Sequence, residues 1–260
     1  MMTDMHGRFV WYELITTDTA AAVEFYREVI GWAAQGAGVE GVDYTLLMAN
    51  GAAVAGLMAL HEEVRNAGGR PGWIGYVAVD DVDSRSAEIG KKGGKVHRAP
   101  DDIPGVGRFA IVADPQGAVF ALFKGSGSPD DMGPPAAPGT PGHAGWHELY
   151  TSNWENALSF YSELFGWEKA DSVDMGSMGI YQLFGKDGTA FGGMMNKPGE
   201  MPNPVWTYYF NVDGIEAAAA RVKERRGTVL NGPHQVPGGS WIIQCLDPQG
   251  AMFALVSAKA

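Results

Sequence analysis

The sequence predicts an α+β fold built from two tandem copies of one module. The stretch from Trp11 to Trp32 recurs from Trp146 to Trp167, and the matching residues keep one offset of 135 positions throughout. A constant offset over a whole strand–turn–helix stretch indicates duplication. Each copy then continues with several short strand patterns but only two helical patterns, which favours an α+β fold over a doubly wound sheet.

The first half of each copy reads as strand, helix and hairpin. In copy one, aromatic and β-branched residues from Phe9 to Ile15 predict a strand, and Asp18 is in position to cap the helix that follows. That helix is predicted over Ala20–Ile30, with Gly31 as the residue that ends it. Strands are then expected at Tyr44–Met48 and Ala53–Met58, joined through Asn50-Gly51.

The second half reads as strand, helix, a short strand and a final strand pair. The expected elements are a strand at Trp73–Val79, a helix at Val82–Lys92 and strands at Lys95–His97, Arg108–Ala113 and Ala118–Phe123. Residues 59–71 and 99–107 are expected to be loops. The turn DPQG at 114–117 recurs at 247–250, an offset of 133, so the copies differ by two residues in a loop.

A segment dense in glycine, proline and serine separates the copies. It reads GSGSPDDMGPPAAPGTPG and is poorly suited to a helix or a sheet ladder. We therefore expect a first module at residues 1–124, a linker at 125–142 and a second module at 143–260.

Composition limits the possible partners. The formal net charge is −11, which disfavours nucleic acid and anionic membranes as partners because both require clustered lysine and arginine. The N-terminus lacks a signal-peptide pattern, and no apolar run could span a bilayer. With a single cysteine, Cys245, the chain can form no internal disulfide, so a cytoplasmic location is expected.

The combined motifs resemble the vicinal oxygen chelate superfamily, the group of glyoxalases, bleomycin-resistance proteins and extradiol dioxygenases. They are the Phe-Tyr helix ending in Gly-Trp, the hairpin, the strand ending VAVDDVD, the GGKV segment and the DPQG turn, and they cover both copies. The resemblance implies paired βαβββ units that curl into a half-open barrel, with a small ligand in each cup. It also implies, for the enzymes of the group, a divalent metal held by histidine and glutamate.

The positions at which the resemblance places metal ligands carry no suitable donors. The expected first-strand histidine is Trp11 in copy one and Trp146 in copy two. The later positions are Ile74 and Ala121, with Thr207 and Ala254 as their counterparts. Such metals need histidine, carboxylate or thiolate ligands, so we predict no metal. His147 is the weak alternative ligand, and a divalent metal stays open as an alternative.

Strand alternation predicts which side chains face the two cups. Glu13 and Glu148 are the candidate catalytic groups, because a carboxylate among aromatic side chains can act as a general base or accept hydrogen bonds from a ligand. Each could equally serve only to fix its strand. The candidate ligand-binding residues are Trp11, Tyr76, Phe123, Arg108, Trp146, Tyr150, Thr207, Tyr209 and Asn211.

These features favour a binding protein for a small aromatic or planar molecule, working without the family's metal. The alternative is a lyase, isomerase or dioxygenase that depends on a metal or on glutamate, and a third possibility is a pure interaction role with filled cups. The oligomeric state is expected to be monomer or homodimer.

Overall fold

The protein is described by a computed structural model that covers residues 5–38, 43–127 and 136–260. Within these residues, sixteen strands form two eight-stranded sheets, accompanied by five α-helices and one 3₁₀ turn. The α+β class and the tandem arrangement are therefore confirmed. No helix in the described ranges is both long and apolar enough to cross a membrane.

The first sheet contains the strands of the first copy. Its strands are β1 (Phe9–Thr16), β2 (Ala33–Gly36), β3 (Tyr44–Ala49), β4 (Ala52–Ala59), β5 (Gly72–Ala78), β6 (Lys95–Ile103), β7 (Gly107–Ala113) and β8 (Val119–Gly125). Their order across the sheet is β2-β3-β4-β1-β5-β8-β7-β6. The helices of this copy are α1 (Thr19–Ile30), α2 (Glu62–Asn66) and α3 (Val82–Lys91).

The second sheet repeats this order with the strands of the second copy. These are β9 (Ala144–Thr151), β10 (Glu168–Asp174), β11 (Ile180–Lys186), β12 (Thr189–Asn196), β13 (Val205–Asn211), β14 (Thr228–Gln235), β15 (Trp241–Leu246) and β16 (Met252–Ser257). The order is β10-β11-β12-β9-β13-β16-β15-β14. The helices are α4 (Trp154–Phe165) and α5 (Ile215–Glu224). Both sheets begin and end on edge strands, as expected for half-open barrels.

The predicted turn and cap residues perform their expected local roles. Asp18 accepts a hydrogen bond from the Ala21 N–H at 2.9 Å and caps α1, and Gly31 ends the helix at φ 93°. Asn50 and Gly51 both adopt positive φ, at 52° and 83°. That pair of angles matches a two-residue hairpin turn whose twist suits the strands on either side.

Three features differ from the sequence expectation. The edge strands β2 and β10 and the short helix α2 were not predicted, because they bury little apolar surface and show no clear alternation. Strand β6 extends to Ile103, through residues expected to form a loop. Its register shifts around Arg98, it contains Pro100, and nearly all of it is exposed. Proline, charges and bulges are common devices on edge strands and hide the strand pattern.

The chain divides into two compact units, and each unit combines half of one copy with half of the other. Residues 11–74, 136–146 and 207–260 form one unit, and residues 1–10, 75–135 and 147–206 form the other. The proposed boundaries at 124 and 143 follow the sequence repeat rather than these units. Residues 128–135 of the proposed linker lie outside the described part of the chain.

The Phe-Tyr and DPQG motifs meet inside each unit. Tyr26 of α1 donates a hydrogen bond to Asp247 Oδ2 at 3.1 Å, and the indole N–H of Trp73 donates to the Tyr26 hydroxyl at 2.9 Å. In the other unit Tyr161 donates to Asp114 at 3.0 Å and accepts from Trp206 at 3.2 Å. In each unit, a helix from one copy is therefore hydrogen-bonded to the DPQG turn of the other copy.

The Gly-Trp motifs also belong to the core. Trp32 is 1% exposed and donates from Nε1 to the carbonyl of Gly142 at 2.8 Å. Trp167 is 2% exposed and donates from Nε1 to the carbonyl of Gly7 at 2.6 Å. Gly7 and Gly142 are equivalent in the repeat, and both adopt positive φ. The most visible motifs of the sequence thus stabilise the fold, and functional residues must be sought elsewhere.

Candidate functional site

Strand β1 separates its side chains cleanly between two faces. Tyr12 packs edge-on against Tyr208 and Phe210, with ring centroids 5.3 and 5.9 Å away, so it belongs to the aromatic core. Trp11 and Glu13 alternate with it and must lie on the opposite face. Both candidate residues of β1 therefore share the face that sequence alternation assigned to them.

On this face Trp11, Tyr44 and Glu13 form a chain of hydrogen bonds. Trp11 Nε1 donates to the Tyr44 hydroxyl at 3.0 Å, and that hydroxyl donates to Glu13 Oε2 at 2.9 Å. Glu13 is only 7% exposed. Burial, and then the neighbouring Glu13 carboxylate, raises the pKa of Tyr44, so the phenol remains protonated and continues to donate. We call these three residues the first triad.

A glycine makes room for the tyrosine of the first triad. Gly56 pairs with Glu13 across strands β4 and β1. A Cβ built on Gly56 would lie 1.8 Å from the Tyr44 hydroxyl oxygen, so the two atoms would overlap. The aromatic ring therefore lies directly over the glycine, and this fixes the hydroxyl beside the carboxylate.

The second copy repeats the contact between the tyrosine and the glycine. Glu148 is 5% exposed and pairs with Gly193 across β9 and β12. A Cβ on Gly193 would lie 2.3 Å from Tyr181 Cε1, so the Tyr181 ring covers this glycine as Tyr44 covers Gly56. Trp146 and Tyr150 are half-buried on the same strand. The second set of Trp146, Glu148 and Tyr181 is called the second triad.

Sequence reasoning missed both tyrosines of the triads. Tyr44 was assigned to a strand without a role, and Tyr181 was not singled out. A signal was present, because each tyrosine lies seven residues before the glycine of its hairpin turn, Gly51 in one copy and Gly188 in the other. The contact with glutamate depends on register across three strands, which short-range periodicity does not reveal.

The other candidates of the first copy lie on its second half. Tyr76 is 4% exposed and contacts the rings of Phe109 and Phe123, each with a centroid 6.3 Å away. Arg108 instead pairs through its guanidinium with Asp83 at 2.6 Å and with Asp102 at 2.9 Å. Two carboxylates already satisfy this cation, so we leave Arg108 out of the proposed binding site.

The second-copy candidates differ in how deeply they are engaged in the fold. Thr207 is fully buried, with its hydroxyl 3.8 Å from Met252 Sδ. The Asn211 amide donates to the carbonyl of His143 at 2.9 Å and holds the segment that leads into β9. Tyr209 accepts a hydrogen bond from Gln244 Nε2 at 2.8 Å. Of these three, Tyr209 has the most direct connection to a polar side chain on the same sheet face.

His147 lies on the opposite face of β9 from Glu148. Its ring stacks on Phe9 at 4.2 Å, and Nδ1 donates to the carbonyl of Phe191 at 2.8 Å. Burial lowers the pKa of His147 to about 4, so the imidazole is neutral near pH 7. Packing among aromatic rings explains this histidine, and alternation places it away from the triad face.

The side chains at the family's ligand positions do not fit a divalent metal. Indole at Trp11 and Trp146 and methyl groups at Ala121 and Ala254 offer no lone pair for coordination. In the described ranges, no three histidine, cysteine, aspartate or glutamate residues are grouped so that they could hold an ion. No chemical step through a metal is therefore derived for this chain.

Comparison with protein families gives two matches, one for each copy. The family model described as Glyoxalase/Bleomycin resistance protein/Dioxygenase superfamily matches residues 8–122 and 141–255. Together the matches cover most of the chain and coincide with the two sheets.

Named relatives match the chain over nearly its full length. The protein named "Putative glyoxylase CFP32" from Mycobacterium tuberculosis (strain CDC 1551 / Oshkosh) is 32% identical over 95% of this chain and 93% of its own. Anthracycline biosynthesis protein DnrV from Streptomyces peucetius is 31% identical, and DauV from Streptomyces sp. (strain C5) is 30% identical. Both Streptomyces matches cover 97% of this chain and 94% of the relative.

Solved structures share the fold at low sequence identity. The Mn(II)-bound glyoxalase from Novosphingobium aromaticivorans superposes with a TM-score of 0.65 and 19% identity, covering 97% of this chain and 82% of that one. The 2,3-dioxygenase LapB from Pseudomonas sp. KL28 gives a TM-score of 0.67 and 15% identity, covering 100% and 94%. At these identities the similarity establishes architecture alone.

Proposed function

Because the chain belongs to the glyoxalase/bleomycin resistance protein/dioxygenase superfamily, we propose that it binds a small planar aromatic molecule and does so without the family's metal. The observation behind this proposal is the first triad, in which Trp11, Tyr44 and Glu13 present an indole, a phenol and a carboxylate on one sheet face. The second triad repeats the same residue types at matching register.

The chemistry of the triads suits a planar ligand that carries hydroxyl groups. Tryptophan and tyrosine provide flat surfaces on which an aromatic ring can stack. A buried carboxylate such as Glu13 is a strong acceptor for a ligand hydroxyl, because hydrogen bonds to charged groups are stronger than neutral ones. Small-molecule sites commonly combine apolar walls with a few placed polar groups of this kind.

The named relatives support an aromatic ligand class. DnrV and DauV are named for the biosynthesis of anthracyclines, which are planar polycyclic molecules with hydroxyl and carbonyl groups. We propose that this chain handles a molecule of the same general chemistry.

Ligand binding can be tested with 2,6-dihydroxynaphthalene and its saturated analogue decahydronaphthalene-2,6-diol. The aromatic diol should raise the melting temperature and quench tryptophan fluorescence, while the non-planar diol should do neither. Tyr44→Phe and Tyr181→Phe should weaken binding, whereas Glu63→Gln on the exposed surface of α2 should leave it unchanged. Equal responses to both diols would contradict a planar binding site.

The absence of metal chemistry is a separate part of the proposal. Elemental analysis of the purified protein should find no stoichiometric manganese, iron, nickel or zinc, and chelation should leave ligand binding unchanged. One bound metal ion per chain, lost together with binding on chelation, would overturn this part.

A second candidate function is a glutamate-dependent lyase, isomerase or dioxygenase. It is favoured by the name of the relative CFP32 and by the Tyr44–Glu13 hydrogen bond, since a paired phenol and carboxylate can hold or move a proton. The test is turnover of the hemithioacetal formed by methylglyoxal and glutathione, with and without added Mn²⁺. Turnover that falls in Glu13→Gln and Glu148→Gln would establish the enzyme, and no turnover is expected for the binding protein.

A further inference from the structure

The second halves of the two copies can be compared residue by residue along one row of paired strands. In copy one the row reads Tyr76, Ala121, Ile111 and Arg98 across β5, β8, β7 and β6. In copy two it reads Tyr209, Ala254, Gln244 and Asn231 across β13, β16, β15 and β14. Tyrosine and alanine are common to both rows, and the last two positions differ.

In copy two the carboxamide of Gln244 spans the small central alanine. Its Nε2 donates to the Tyr209 hydroxyl at 2.8 Å, although the two residues lie on the strands either side of Ala254. Those strands are about 10 Å apart, so their side chains can meet only by passing over the small side chain of Ala254 on the strand between them. On the far side, Asn231 Nδ2 donates to Gln244 Oε1 at 3.3 Å. The amide is thereby held in one orientation, and it is 7% exposed.

In copy one the same row is closed by apolar contacts. Ile111 replaces the amide and can form no hydrogen bond to Tyr76. The next row adds Phe109 paired with Phe123, and both rings contact Tyr76. Arg98 lies over the Phe109 ring at 4.6 Å and pairs with Asp101 at 2.7 Å. The equivalent row in copy two pairs Ile242 with Val256, so aromatic rings there are replaced by aliphatic groups.

We propose that the two copies have diverged in ligand preference, and that Gln244 is the residue that sets the preference of the second copy. The Gln244 carboxamide donates to Tyr209 and accepts from Asn231, so it fixes the orientation of the Tyr209 hydroxyl, and the second-copy row selects an aromatic ligand with a hydroxyl or carbonyl group on its edge. The first-copy row, with Ile111, Phe109 and Phe123, selects a ring system by apolar contact alone. This inference rests on the proposed function and assigns to the second copy a polar selection of the ligand edge that the second half of the first copy lacks.

The test exchanges the residues that differ between the rows. Gln244→Ile and Ile111→Gln each insert the residue of the equivalent position, and Gln244→Met offers an apolar side chain of similar size if the first variant folds poorly. The probes are 2,6-dihydroxynaphthalene and 2,6-dimethylnaphthalene, which share shape and differ in hydroxyl groups. Titration calorimetry measures affinity and the number of sites.

The parent protein should bind the diol at one site more tightly than the dimethyl compound. Gln244→Ile and Gln244→Met should weaken diol binding about ten-fold, as expected for loss of one to two hydrogen bonds. Binding of the dimethyl compound should not change. Ile111→Gln should add diol affinity at the other site.

The outcomes separate this inference from the proposed function. If the parent binds neither compound, both are overturned. If it binds aromatic compounds but both Gln244 variants retain the parent's preference for the diol, the assignment of Gln244 is wrong and the proposed function stands.

Discussion

Tyr26→Phe offers the sharpest test of how the two copies are fastened together. The Tyr26 side chain is fully buried, and its hydroxyl accepts from Trp73 Nε1 and donates to Asp247 Oδ2. Removing this one oxygen leaves a buried indole N–H without its acceptor and removes one hydrogen bond from a buried carboxylate. Asp247 retains two bonds from backbone N–H groups to Oδ1, at 2.9 and 2.8 Å, so its loss is partial.

The expected cost follows from these two losses. An unsatisfied buried polar group costs about 1–3 kcal/mol, and the Asp247 contribution falls at the lower end of that range. We expect the free energy of unfolding to fall by about 2–4 kcal/mol. Each kcal/mol lowers the melting temperature by about 2–4 °C for a protein of this size.

Urea unfolding followed by tryptophan fluorescence measures the change, with the slope of the transition as a check on two-state behaviour. Tyr161→Phe is the matched variant, since Tyr161 makes the equivalent bonds to Trp206 and Asp114. In the double variant Tyr26→Phe/Trp73→Phe the indole N–H that would lack an acceptor is absent. The double variant should therefore lose less free energy of unfolding than the two single variants added together. A loss below about 0.5 kcal/mol for Tyr26→Phe, with an unchanged slope, would refute the reasoning.

Four further outcomes are expected. Gly56→Ala and Gly193→Ala should displace the triad tyrosines and weaken binding of 2,6-dihydroxynaphthalene in fluorescence titrations. Gly36→Ala on exposed β2 is the neutral control. Unchanged affinity in the first two variants would contradict the triad geometry. Burial lowers the pKa of His147 to about 4, so the unfolded chain binds a proton before the folded chain does, and the free energy of unfolding should fall as pH drops from about 6.5 to 4. In His147→Phe the urea midpoint should depend less on pH over that range. A pH profile identical to that of the parent protein would refute this. Burial raises the pKa of Asp247, so its contribution has the opposite sign, and stability should rise as pH falls through its folded pKa. Asp247→Asn should remove that rise and should also be less stable, because the amide oxygen accepts from the backbone N–H groups and the amide nitrogen, in the place of Oδ2, cannot accept from Tyr26. Light scattering should find a monomer or a homodimer, and a larger assembly would contradict that expectation.

The fold could be predicted because its evidence is local and repeated. Alternation in β1, the Asp18 cap, the Gly31 helix end and the Asn50-Gly51 turn each depend on a few neighbouring residues, and all are confirmed. The strand predicted from the sequence at edge strand β6 was too short, because exposed charges and Pro100 remove the alternating pattern. Local chemistry therefore indicates the elements that face a core and misses those that face solvent.

The candidate site was predicted only in part, because it depends on contacts between distant strands. Glu13 was identified from its place on β1, but its partner Tyr44 lies 31 residues away and needs Gly56 beneath its ring. Arg108 was a candidate ligand-binding residue, and the two carboxylates that pair with it became visible only in three dimensions. The roles of Glu13 and Glu148 stay predictions until variants are measured.

The reciprocal Tyr–Asp bonds also have a consequence for synthesis of the chain. During translation Asp247 follows its partner Tyr26 by 221 residues, and the unit that contains both is completed only by residues 207–260. Helix α1 therefore remains with its apolar face uncovered until residues 207–260 have been synthesised. Nascent chains halted before Asp247 should be more susceptible to proteases and chaperones around residues 11–74 than chains that include residues 207–260.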